Sequence, residues 1–130
     1  MRVISSGTTF IRFPSICFPF FMSSMICVIT GTAGIEAIGT KYKVRHRAEF
    51  GIRVAKKYWG LGIGKALLAS CIECAKAAGY SQLELNVVAE NERAVSMYEQ
   101  AGFVEFGRNP KGFCSRIAGF QEVISMRLEL

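Results

Sequence analysis

A chain of 130 residues, half of them apolar and a fifth charged, suits one globular domain with a single core and excludes a disordered or low-complexity polypeptide. The net charge of +6 favours an anionic partner and leaves nucleic acid, acidic membrane and a phosphorylated cofactor open. Five cysteines (Cys17, Cys27, Cys71, Cys74 and Cys114) form no disulfide framework, which fits a reduced, cytoplasmic protein.

At the amino terminus, Phe13 to Ile35 contains no charged residue. Such a run could cross a bilayer, which takes about 20 apolar residues, or act as a signal. Pro14 and Pro19 interrupt it, Ser, Thr and Gly are frequent after Ser23, and cleavage near "GTAG" would remove a strand of the domain. The expectation is no membrane association, an atypical or truncated apolar segment over residues 1–24, and a domain over residues 25–130.

"MICVITGTAGI" reads as a β-rich run with a glycine-containing turn or bulge. "KYKVRHR" alternates Lys41, Lys43, Arg45 and Arg47 as an exposed edge strand or hairpin arm would. Glu49 to Val54 is a short strand, and "AKKYW" a polar turn. From Lys65 to Ala78 the apolar positions follow helical spacing, and Gly79 supplies a left-handed stop. Cys71 and Cys74 form a CxxC on that helix. With neither a second CxxC nor a histidine besides His46, they read as small apolar residues on its buried side and not as metal ligands.

"QLELNVV" alternates Leu83, Leu85 and Val87 toward one face, as a strand does. Asn91 is a good N-cap for a second helix, "ERAVSMYEQA", which Gly102 ends. "FVEFG" opens another strand, "RNPKGFCSRIAG" reads as a loop, and a last strand shows Phe120, Ile124, Met126, Leu128 and Leu130 on one face. The order β–β–β–α–β–α–β–β implies an α/β (α+β) fold, a mixed sheet with helices packed on it.

Gly60, Gly62 and Gly64 stand between the third strand and the first helix. A strand, a glycine turn and a helix N-terminus together present unpaired amide hydrogens to an anion, and missing side chains let a phosphate reach the backbone. The plainer alternative, a tight turn without ligand, needs only one glycine. A P-loop is ruled out, because Gly64-Lys65 is followed by Ala66 and Trp59 fills the first glycine position. The dinucleotide fingerprint fails as well, with Lys65 or Leu67 where glycine is required.

Val54 followed by Trp59-Gly60-Leu61-Gly62-Ile63-Gly64, and then "NERAVSMYEQAGF", resembles the two core motifs of the GNAT superfamily of N-acetyltransferases, most clearly from Ala48 to Phe106. Trp59 stands where that family carries Arg or Gln. The resemblance implies a mixed, mostly antiparallel sheet whose central strands, Glu49–Val54 and "QLELNVV", splay apart. It implies acetyl-CoA as acetyl donor, its pyrophosphate on the amides of Trp59, Gly60, Leu61, Gly62, Ile63, Gly64 and Lys65. The pantetheine arm would pair with Ile52 to Val54 like an added strand and be hydrogen-bonded by Asn91. Lys56, Lys57, Lys65 and Arg93 could attract the phosphates.

By the same resemblance the reaction is direct attack of a primary amine on the thioester, with the Val54 amide stabilising the carbonyl oxygen and Tyr98 protonating the departing thiolate. An alkylamine with a pKa near 10.4 is neutral in only about one molecule in a few thousand at pH 7, so a carboxylate must take its proton. Glu49 is the candidate, against a plain reading as a strand-end charge balancing Arg47. No metal is required. The acceptor amine is not readable, and an uncovered sheet edge leaves a homodimer open. A CoA-binding module without activity is the alternative. A small basic nucleic-acid- or membrane-associated protein ranks last, since no aromatic platform accompanies "KYKVRHR".

Overall fold

The computed structural model describes residues 8–11 and 30–130. The boundary at 24/25, the start of a strand near residue 25 and most of the Phe13–Ile35 run lie outside the described residues. Among the described residues no helix is long and apolar enough to cross a membrane.

Six strands and two helices follow one another as β1 (Thr8–Ile11), β2 (Gly31–Ala37), β3 (Arg47–Val54), α1 (Ile63–Ala77), β4 (Gln82–Val88), α2 (Glu92–Gln100), β5 (Val104–Ser115) and β6 (Gly119–Glu129). They form one sheet in the order β1-β2-β3-β4-β6-β5. Every neighbouring pair is antiparallel except β3–β4, which the α1 crossover makes parallel.

Alternation sorts the strand residues onto two faces. Ala33, Ile35, Ala48, Phe50, Leu83, Leu85, Ile124 and Met126 are buried in one cluster with Leu67, Leu68 and Cys71 of α1 and Tyr98 of α2. Both helices therefore cover the same face. The opposite face carries Glu36, Glu49, Glu84, Asn86 and Arg127, in register across β2, β3, β4 and β6. Apolar residues on one face and polar ones on the other leave this sheet only one register that buries its core.

The β3–β4 ladder is short. It joins Arg47, Ala48 and Glu49 to Gln82, Leu83 and Glu84, whereas β3 runs on to Val54 and β4 to Val88. Beyond Glu49 the two central strands diverge, as the family resemblance implies. Arg47 and Glu84 form a two-point ion pair across the joined end, through Nε to Oε1 and through Nη2 to Oε2 at 2.8 Å.

Three sequence expectations need correction. "KYKVRHR" is not a strand: Tyr42–Val44 is a 3-10 turn, with Arg45 stacked 3.9 Å from the Tyr42 ring, and only Arg47 enters β3. The extra strand at the start is Thr8–Ile11, paired with β2. "RNPKGFCSRIAG" is mostly strand, since β5 runs to Ser115 and turns into β6 at Gly119. Pro110 is tolerated there because β5 is an edge strand with a register shift between Asn109 and Phe113. That shift brings the Gly112 backbone against Val123, which is buried, while Phe120 is left exposed.

Candidate active site

The turn between β3 and α1 uses its glycines in two different ways. Gly60 and Gly62 have φ of 82° and 79°, the left-handed region that side chains disfavour. Gly64 is helical, but a Cβ there would lie 3.4 Å from Met97 Sδ, so its absence lets α2 approach α1. The 3-10 turn Lys56–Tyr58 ties the Trp59 amide to the Lys56 carbonyl at 3.2 Å, so Trp59 is not among the free donors the sequence suggested. The first bond into α1 runs from the Ala66 amide to the Gly62 carbonyl. Between these two points the amides of Gly60, Leu61, Gly62, Ile63, Gly64 and Lys65 have no acceptor among the described residues. Six unpaired N–H groups at one helix N-terminus present donors of the kind that suit an anion. Arg93, from the start of α2, adds a cation there: its Nη2 lies 3.4 Å from where a Gly60 side chain would begin.

Pairing parity fixes the edge of the splay. The Ala55 amide donates to the Thr30 carbonyl, and with Gly31 opposite Val54 this makes Arg53 and Ala55 the residues bonded to β2. The main-chain groups of Ile52 and Val54 therefore point the other way, toward β4, where the ladder has ended. The Trp59 indole N–H donates to the Val54 carbonyl at 2.8 Å. Trp59 thus occupies one of the groups an added strand would use, leaving the Val54 amide and both groups of Ile52.

Tyr98 is buried on the helix-covered face, its ring edge-on to Phe50 at 6.2 Å and to Phe103 at 5.8 Å between centroids. Burial pushes its phenol above the ordinary tyrosine value, so it is protonated at neutral pH. Glu49 precedes Phe50 and so lies on the opposite, polar face, with the splay between the two. It does not balance Arg47, which is committed to Glu84. Instead the Asn86 side-chain amide donates to Glu49 Oε1 at 3.2 Å, and the Ser125 hydroxyl donates to Asn86 Oδ1 at 2.8 Å. A groove of about 400 Å³ along β2 and β3 brings Glu36 and Glu49 together with Gly51 and Arg53.

Asn91 caps α2, its side-chain oxygen accepting from the Ala94 amide at 3.3 Å. Only its NH₂ group is left for a ligand. Cys71 sits in the core, its thiol pushed up to about 11 by burial and then by Cys74, which packs beside it. The sequence reading missed Asn86, Ser125 and Glu84. Alternation with Leu83, Leu85 and Val87 already puts Glu84 and Asn86 on the polar face, but naming their partners requires the strand order.

Residues 22–103 match the model of the Acetyltransferase (GNAT) family. Over 74 residues the chain is 32% identical to spermidine N(1)-acetyltransferase of Vibrio cholerae, a match covering 56% of this chain and 42% of the relative. A 74-residue match to mycothiol acetyltransferase of Renibacterium salmoninarum is 39% identical and covers 57% of this chain and 20% of that one. The crystal structure of a GNAT-family acetyltransferase from Streptococcus pneumoniae superposes with a TM-score of 0.75 at 32% identity, covering 82% of this chain and 64% of that one. The chain thus spans less than half the length of these two curated relatives.

Proposed function

The chain belongs to the acetyltransferase (GNAT) family, and from that premise we propose that it transfers the acetyl group of acetyl-CoA to a primary amine. The observation that carries this reading is the row of six free amides from Gly60 to Lys65, set beside a strand edge whose main chain is open toward the splay. A diphosphate fits the amides, and an extended arm fits the slot that starts at Ile52. The acetyl group then lies between Val54 and Tyr98.

When the amine nitrogen bonds to the carbonyl carbon, the Val54 amide donates to the oxygen that gains charge. The carbon–sulfur bond breaks and the sulfur takes the Tyr98 proton, while the proton lost by nitrogen passes to Glu49, directly or through water. Glu36 and Glu49 face each other across β2 and β3, which supports a cationic acceptor. The spermidine acetyltransferase relative makes spermidine the first amine to try. The free thiols Cys71, Cys74 and Cys114 support a reducing, cytoplasmic setting. Exposed Phe106 and Phe120 on β5 and β6 support self-association into a homodimer.

Calorimetry with acetyl-CoA tests the proposal. Gly62→Asp forces a side chain onto a left-handed residue and puts a carboxylate among the donors, so affinity is expected to fall by about a hundred-fold or more. No binding by folded protein, or binding that Gly62→Asp leaves unchanged, overturns the reading.

A further inference from the structure

The Ser125–Asn86–Glu49 chain links β6, β4 and β3 past the point where the central strands stop pairing. Glu84 is the last β4 residue joined to β3, and Asn86 lies two residues beyond it, paired with Ser125. An ionised carboxylate can only accept, so the Asn86 amide must turn its NH₂ toward Glu49. That leaves its oxygen for Ser125, whose hydroxyl donates at 2.8 Å. Each group satisfies the next in only one orientation. We infer that Asn86, oriented by Ser125, is a positioning residue that holds Glu49 Oε1 across the mouth of the splay and leaves Oε2 to receive the amine proton.

The other charges facing Glu49 do not do this. Glu36 on β2 is directly opposite and repels it, Arg47 on its own strand is tied to Glu84 on β4, and Arg53, which lines the same groove, makes no ion pair with it. Arg127 on β6 pairs with Glu129. Asn86 is therefore the only donor to this carboxylate among the described residues. It holds Oε1 both before and after Oε2 is protonated, because an accepting oxygen is present in either state.

The inference rests on the acetyl-transfer reading, and its test separates the two. Thiol release from acetyl-CoA is followed with spermidine, tyramine and a peptide bearing a free amino terminus, and the fastest acceptor is kept. Asn86→Leu is expected to lower kcat about ten-fold, with acetyl-CoA affinity by calorimetry unchanged. The acidic limb of its kcat/KM profile moves to higher pH, since a donor that favours the carboxylate form has been removed. Ser125→Ala gives a smaller loss of about three-fold and adds nothing in the Asn86→Leu background, because it acts only through that amide. Neither variant lowers the rate of Glu49→Gln further. An Asn86→Leu enzyme with the wild-type pH profile, or additive losses in the double variant, overturns the positioning role alone. No thiol release by wild-type protein with any of the three amines overturns the functional reading, and this inference with it.

Discussion

At Tyr98 a buried ring carries the proton that the proposed reaction gives to the departing thiolate. Phe50 and Phe103 exclude water from it, and that desolvation raises the phenol above its ordinary value near 10. The folded chain therefore holds this proton more tightly than the unfolded chain does. Stability from this source is intact below pH ~10 and is lost as the pH rises above it. Tyr98→Phe keeps the ring and removes the proton, so two results are expected. Thiol release falls about a hundred-fold at neutral pH with acetyl-CoA affinity kept, as loss of a general acid requires. In denaturant melts, the drop in stability between about pH 9 and pH 11 is smaller in the variant than in wild type. A drop of equal size would mean that the phenol is not held in its neutral form by the fold.

Both helices are legible in the sequence because their ends are chemically marked. Gly62 takes the left-handed conformation before α1, Gly79 takes it after, and Asn91 caps α2. Asn91→Ala should cost about 1 kcal/mol, read as a lower denaturation midpoint at unchanged m-value. If the free NH₂ of Asn91 also serves the cofactor arm, acetyl-CoA affinity falls as well, and Asn91→Ser restores the stability but not the affinity. The β4 strand and the α1–α2 face are equally legible, since Leu83, Leu85, Val87, Leu67, Leu68 and Cys71 carry the periods of two and of 3.6. The second half of β5 is not. Asn109, Pro110 and Gly112 have the composition of a loop, yet they occupy an edge strand whose irregular register suits them. "KYKVRHR" fails in the opposite way: its alternation is real, but Arg45 stacks on Tyr42 in a turn and only Arg47 finds a strand partner. Local pattern identifies candidates for the site, whereas tertiary register decides which of them meet. For that reason Glu49 could be named from the sequence while its partner Asn86 could not.

Across the whole molecule the positive charge is unevenly committed. Arg47, Lys76, Arg108 and Arg127 each sit in an ion pair. Lys56, Lys57, Lys65 and Arg93, which surround the glycine turn in sequence or in space, form none among the described residues. The excess behind the net charge of +6 is therefore free to act at the proposed anion site, through a general field or through contact. Arg93→Gln and Arg116→Gln distinguish these, because each lowers the net charge by one while only Arg93 lies beside Gly60. Arg116 is exposed in the β5–β6 turn on the far edge of the sheet. A general field would make the two variants lose acetyl-CoA affinity equally. Contact predicts a loss of about ten-fold for Arg93→Gln and less than about two-fold for Arg116→Gln, since screening shortens the reach of an exposed charge to about 10 Å at 0.1 M salt. Raising salt from about 0.05 to 0.5 M should then weaken wild-type binding more than Arg93→Gln binding, drawing the two together. Isothermal titration at the two salt concentrations measures both differences. Equal losses in the two variants, or a gap that salt leaves untouched, would mean that Arg93 packs against the turn without addressing the phosphates.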